Sequence, residues 1–155
     1  MRNDALCGLT IINGRDIWLE FGAFLTEEKR GGHENQTAIM TPSTVKSHVG
    51  VDIREHDGVK YSKRLTVSNK ERDVTLYFAL MAPTRAEWLA RYRNFITFLK
   101  RGSDGWLNVE FPGLGLALRM FYVNCSGYKP LTYLWSEGVH ASRFKITFRE
   151  PVPVF

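Results

Sequence analysis

Long apolar runs are missing from this 155-residue sequence, and so are paired cysteines, glycine-rich phosphate loops and blocks of like charge. No stretch offers the roughly 20 consecutive apolar residues that a membrane-spanning helix needs, so no membrane role is expected. The N-terminus, MRNDALCGLTIING, lacks the apolar core of a signal peptide, which predicts a protein used without secretion by that route. The 2 cysteines, Cys7 and Cys125, show no paired spacing, which excludes a metal knuckle or CxxC redox motif and predicts reduced thiols.

The chemistry of catalysis is equally sparse. In PGLGLAL, Gly113 and Gly115 follow a proline and lead into a strand pattern, without the third glycine and the helix that cradle a phosphate. Ser126 and Ser136 sit in no nucleophile elbow, and neither cysteine has a catalytic signature around it. His48, Asp52, Glu55, His56 and Asp57 crowd one stretch, and such groups can hold a divalent metal. Their spacing matches no helix-borne zinc motif or calcium loop, so a solvated loop is expected. His33 and His140 have no acid or thiol partner nearby in sequence and read as surface residues. A carboxylate pair for glycoside cleavage stays open, because its separation is a property of the fold. The expectation is a protein that is not an enzyme and takes no cofactor or metal.

Lys and Arg number 21 against 16 Asp and Glu, a formal charge of +5. The basic residues are dispersed and interleaved with acids such as Glu27, Glu28, Glu71 and Asp73, whereas a nucleic-acid footprint would cluster them. Specific nucleic-acid binding is therefore not expected.

What the sequence does have is one fully punctuated helix, PTRAEWLARYRNFITFLKRG. Thr84 can cap its first turn, Glu87 can return the bond, and Pro83 can staple against Trp88. Lys100 and Arg101 suit the negative end of the helix dipole, and Gly102 can close the last turn. Trp88, Leu89, Tyr92, Phe95, Ile96 and Leu99 recur at spacings of three and four, forming one apolar stripe along a rod of roughly 25 Å. A strand-rich chain needs such a stripe to cover its sheet, so these six residues are predicted to be core, not base-stacking or lipid-facing groups.

Strand signals surround it. Asn13-Gly14 between apolar runs in LTIINGRDIWLEFGAFL predicts a hairpin of two strands. VKYSKRLTV and DVTLYFALM, separated by SNKER, read as an antiparallel pair; WLNVEF and LALRMFYVN flank the Pro112-Gly113 turn; TYLW and ASRFKITFRE read as a closing pair. In the last, Phe144, Ile146 and Phe148 alternate with Lys145, Thr147 and Arg149, so one face is buried. Many strands, one helix and no strand–helix alternation predict a single α+β domain over residues 1–155, mainly antiparallel, as a β-sandwich with one packed α-helix. Residues 26–58 are too polar to bury themselves and too long for a connector. They are expected to form a loop or arm that contacts another subunit through Ile39, Met40, Val49, Val51 and Ile53.

The order of these motifs resembles phage tail proteins of the distal-tail and tail-tube type. The segments that carry the likeness are INGRDIWLEFGAFL, the turn HDG followed by KRLTVSNKERDVTLYFAL, the helix RAEWLARYRNFITFLKRG and the terminal FKITFREPVPVF. The resemblance implies a non-catalytic virion tail component, assembled in the host cytoplasm. It would form a homo-oligomeric ring, typically a hexamer, around a channel that passes DNA, and would meet other tail proteins. Distal tail proteins often continue into a carbohydrate-binding-like domain; with Phe155 following the terminal strand so closely, a bare ring-forming module is expected. The alternative from a different class is a small carbohydrate- or ligand-binding β-sandwich using Trp106, Tyr128, Tyr133 or Trp135 as a stacking platform.

Overall fold

The computed structural model describes residues 4–133 and 137–155. After a 3-10 turn at Asp4–Leu6, Asn13 and Gly14 adopt φ of 51° and 78°, the two left-handed residues of a tight hairpin turn between β1 (Ile11–Ile12) and β2 (Arg15–Asp16). The second strand stops at Asp16, whose carboxylate accepts the Trp18 N–H at 3.0 Å and starts helix α1 (Ile17–Phe21). The run read as one strand is thus a helix followed by β3 (Ala23–Leu25). A short apolar run does not reveal its period, and here Ile17 and Phe21, four apart, bury one helical face. Gly22 ends α1 with φ 68°, and a Cβ there would lie 2.5 Å from the Met81 carbonyl oxygen.

Helix α2 (Glu34–Met40) precedes two short strands, β4 (Gly50–Asp52) and β5 (Val59–Tyr61), that pair only with each other. The remaining elements are β6 (Arg72–Ala82), α3 (Arg85–Arg101), β7 (Leu107–Phe111), β8 (Leu116–Pro130) and β9 (His140–Glu150). They complete a seven-stranded sheet in the order β2-β1-β7-β8-β9-β6-β3, with every pairing antiparallel. The expected antiparallel, β-rich α+β class is what the chain adopts.

β8 decides the shape. Its residues 116–120 pair with β7 and its residues 121–130 with β9, with register shifts at Tyr122/Asn124 and Ser126/Lys129. Such bulges bend and twist a strand. The sheet therefore curls at β8, bringing Val109, Leu118 and Met120 into one core with Phe78, Ile146 and Phe148. Seven of the described strands form this one continuous, curled sheet, and β4 and β5 form a separate pair. Of the expected strand TYLW, Thr132 lies in a bend and Leu134 and Trp135 lie outside the described residues; among the described residues β9 pairs with β6 and β8.

β6 and β9 pair along their full lengths, placing Val74 opposite Phe148, Leu76 opposite Ile146 and Phe78 opposite Phe144 on the inner face. The outer face is polar, with the Thr75 and Thr147 hydroxyls 3.0 Å apart. α3 closes the inner side. The Thr84 hydroxyl accepts the Glu87 N–H at 3.2 Å, while the Glu87 carboxylate turns to Arg91, 3.9 Å away. Phe95 and Leu99 are fully buried, and Phe95 packs on Phe78 with ring centroids 5.6 Å apart. Trp88, Tyr92 and Ile96 are half-buried against the same core. Leu89 is corrected: it is 49% exposed. Phe98, absent from the predicted stripe, takes the inward place instead and stacks on Phe21 at 5.2 Å. Two further helices join the single one expected, because α1 and α2 are too short to show a period.

Replacing Phe95 with alanine is expected to cost about 3–5 kcal/mol of stability. Leu89→Ala should stay within about 0.5 kcal/mol. Urea unfolding of both variants checks this, and equal losses would refute the division of the stripe.

Candidate interaction surface

The surface that the core does not explain begins where α2 ends. α2 is fixed to the body by Asn35, whose side-chain oxygen accepts the Tyr77 N–H at 2.6 Å. The Asn35 amide donates to the Thr26 and Tyr77 carbonyls at 2.7 and 3.2 Å. This side chain continues the pairing of β3 along the edge of β6 and leaves those main-chain groups satisfied. Ile39, 2% exposed, plugs into the core. The expected arm at 26–58 is corrected on both counts: residues 26–41 belong to the body, and Ile39 has no surface to offer a partner.

The segment that leaves the body is 43–70, a β-hairpin arm. Its stem is held by an isolated bridge between Val45 and Asn69, by the Lys46 N–H donating to the Ser68 carbonyl and by the Lys70 N–H donating to the Thr44 carbonyl, both at 2.7 Å. Its far end is the β4–β5 pair, turned through residues 53–58, where Gly58 has φ 72°. VKYSKRLTV therefore pairs across the arm through Val59–Tyr61, not with β6. Lys and Arg fall on both faces of that run, so neither face suits a core.

The two faces of the arm tip differ. Residues opposite each other share a face, so Val51 lies with Lys60, while Gly50 lies with Tyr61 and Asp52 with Val59. Glycine at 50 lets Val59 and Tyr61 close over the backbone, since a Cβ would sit 2.6 Å from Val59 Cγ1 and 2.8 Å from Tyr61 Cε1. At the tip, Val51, Ile53, His56, Val59 and Lys60 are among the residues that line a shallow recess of about 330 Å³. Val49 is 89% exposed, Val51 57% and Met40 46%; Ile53 is half-buried at the tip. Leu65 and Val67 continue the exposed apolar positions down the stem. A two-stranded hairpin of this kind is marginal by itself.

Its root is held by a buried charge. Arg72, at the start of β6, donates through Nη1 to the Ile39 carbonyl at 3.0 Å and to that of Thr41, and through Nη2 to the Glu150 carboxylate at 3.3 Å. The Glu150 and Arg72 side chains are 0% and 7% exposed. Glu150 also accepts the Val154 N–H at 2.8 Å, and Arg72 lies over the Phe155 ring, 5.1 Å from its centroid.

His48, Asp52, Glu55, His56 and Asp57 all lie on the arm, and among the described residues no group of three metal-ligating side chains is close enough to hold an ion. His140, expected at the surface, is 4% exposed, with its ring nitrogens 3.3 and 3.1 Å from the Gly138 and Tyr133 carbonyls. Both cysteines are free, and burial pushes the Cys125 thiol up, beside the Tyr92 hydroxyl at 3.9 Å, which favours the unreactive thiol. Of the candidate stacking residues, Trp106 is covered by Arg119 at 4.5 Å and Phe121 at 5.7 Å, and Tyr128 packs on Trp88 and Tyr92. Trp106 lies beside Phe121, and Tyr128 is seven residues further along β8, roughly 20 Å away at strand spacing. Tyr133 is 68% exposed, and Trp135 lies outside the described residues. No described helix is long and apolar enough to cross a membrane.

The sheet has free edges besides. Residues 121–130 of β8 pair with β9 on one side, and among the described residues no strand pairs with the other. Unpaired main-chain donors and acceptors of this kind are ready sites for another chain.

No protein-family model matches the sequence, and no curated protein is significantly similar to it. A solved structure of the SPP1 Dit (gp 19.1) protein, described as a paradigm of the hub adsorption apparatus in phages that infect Gram-positive hosts, shares the fold with a TM-score of 0.52. The match is 13% identical and covers 90% of this chain and 48% of that one. This chain thus spans about half the length of the structure it matches, and at that identity the likeness is one of fold.

Removing Glu150 with Glu150→Ala leaves the Arg72 charge buried and unpaired and is expected to cost about 3–5 kcal/mol. By contrast Arg149→Ala, which removes the exposed pair to Asp73 at 2.8 Å, should leave the urea midpoint nearly unchanged. Comparable shifts for the two variants would refute the organising role of Arg72 and Glu150.

Proposed function

We propose that this chain is a structural subunit of a phage or prophage tail, a distal-tail or tube-like hub module that assembles into a ring through contacts between copies. The observation that carries the reading is the fold shared with a phage tail hub protein over 90% of this chain. The arm supports it. A closed ring needs two different surfaces on each subunit that fit each other after a fixed rotation. The arm at 43–70 exposes Val49 and Val51 and buries nothing of its own body, while the free edge of β8 offers unpaired main chain elsewhere.

In this reading the partner is a second copy, in a ring of six, together with other tail components. The role is non-catalytic and the place is the virion tail, assembled in the host cytoplasm. DNA passes through the channel without specific binding. Interleaved charges on the outer face of the sheet, such as Arg149 beside Asp73 and Glu71, suit passage, since strong phosphate binding would hold the genome back.

Light scattering over a concentration series should show one closed assembly, a hexamer. A variant in which residues 45–69 are replaced by a short glycine turn joining Thr44 to Lys70 should be a folded monomer. A wild-type chain that stays monomeric throughout would overturn the ring reading; rings that survive the deletion would overturn the role of the arm alone.

A further inference from the structure

The C-terminal residues 151–155 follow β9 without joining the sheet, and Val152 and Val154 are 84% and 53% exposed. Yet this tail returns to the root of the arm. The Ser43 N–H and hydroxyl both donate to the Phe155 main-chain oxygen at 3.2 Å. The Phe155 ring lies under the Arg72 guanidinium, and the Val154 N–H donates to Glu150, the carboxylate that pairs with Arg72. Ser43 is the residue at which the chain enters the arm, and Arg72 is the residue at which it has returned to the sheet.

We propose that residues 151–155 are a latch that fixes the direction of the arm relative to the body. The stem bonds of the arm, from Lys46 to Ser68 and from Lys70 to Thr44, hold its two strands together but do not aim it. Aim comes from the root. Arg72 fixes the exit of α2 through the Ile39 and Thr41 carbonyls, and Phe155 fixes the next turn of the chain through Ser43. The contacts made by the tail itself are one ring–cation contact and three hydrogen bonds at its edge, few enough to release while the core stays folded. With the tail seated, the arm is held in one orientation and loses less freedom when a partner captures it. With the tail released, Ser43 becomes a hinge. The latch is a property of one subunit and does not rest on the ring reading.

The test places spin labels at Asp57→Cys on the arm tip and Thr97→Cys on α3, in a chain with Cys7 and Cys125 replaced by serine, and measures the distance distribution between them. Phe155→Ala should widen that distribution about twofold, and Ser43→Ala should widen it less, while the circular dichroism of both stays that of the parent. Removing roughly one hydrogen bond's worth of restraint should also speed tryptic cleavage at Lys46 and Lys70 about five- to tenfold. Val152→Ala, at an exposed tail position with no contact to the root, should change neither readout. Unchanged width and cleavage in both Phe155→Ala and Ser43→Ala would overturn the latch whatever the oligomeric state, and widening in Val152→Ala would overturn its dependence on the root contacts.

Discussion

One buried ion pair, between Arg72 and Glu150, sits where four parts of the chain converge. Moving two charges out of water is expensive, and a pair of this kind rarely stabilises more than well-packed apolar residues would. Its value is positional. Arg72 opens β6 and Glu150 closes β9, and the two are register partners in the central pairing of the sheet. Nη1 of the guanidinium then donates to the last carbonyls of α2, where a positive charge also suits the negative end of the helix. The second carboxylate oxygen takes the tail. A single apolar pair at these positions could fill the volume, but it would leave the carbonyls of Ile39 and Thr41 and the amide of Val154 without partners. The sheet, α2, the arm and the tail are thus set relative to one another by hydrogen-bonding capacity more than by packing.

The curl of the sheet is the second constraint, and it follows from β8. A strand of fifteen residues that stayed flat would bind its two neighbours side by side. By dividing its length between β7 and β9, and by absorbing two register shifts, β8 turns the sheet around Phe78 and α3. Among the described residues the same division leaves 121–130 without a strand along one side. The feature that builds the core therefore also creates a surface open to another chain, which is an economical arrangement for a subunit and a liability for a monomer.

What could be read from the sequence was local. The Thr84 cap of α3, the alternation along β9 and the Asn13-Gly14 turn each lie within a few residues of their cause, and each is present in the structure. The failures have physical reasons. Asp16 serves the hairpin and α1 at once, and nothing in the apolar run IWLEFGAFL declares a helical period in five residues. Asn35 is one polar residue among many in its stretch, and its partner, Tyr77, is 42 positions away. Arg72 and Glu150 look like two more members of a dispersed charge population, because their burial depends on the meeting of strand ends 78 residues apart. The arm was visible as a segment unable to bury itself, but its limits were shifted, since the docking of Ile39 and the exclusion of residues 59–70 are both tertiary events.

The composition of the arm carries the last step. A hairpin that shows Val49, Val51, Leu65 and Val67 to water is an invitation to unspecific pairing, and natural edges suppress this with charge, lysine above all. Lys60 shares the face of Val51, and Lys63 and Arg64 stand between Tyr61 and Leu65. These charges do nothing for the fold, because the residues around them are exposed and the sheet proceeds without them. They are intelligible as protection for apolar positions that stay uncovered in the single chain. A simple solvated loop would need neither the apolar residues nor their guards, which is why the proposed docking role accounts for the composition of the arm better than a loop does.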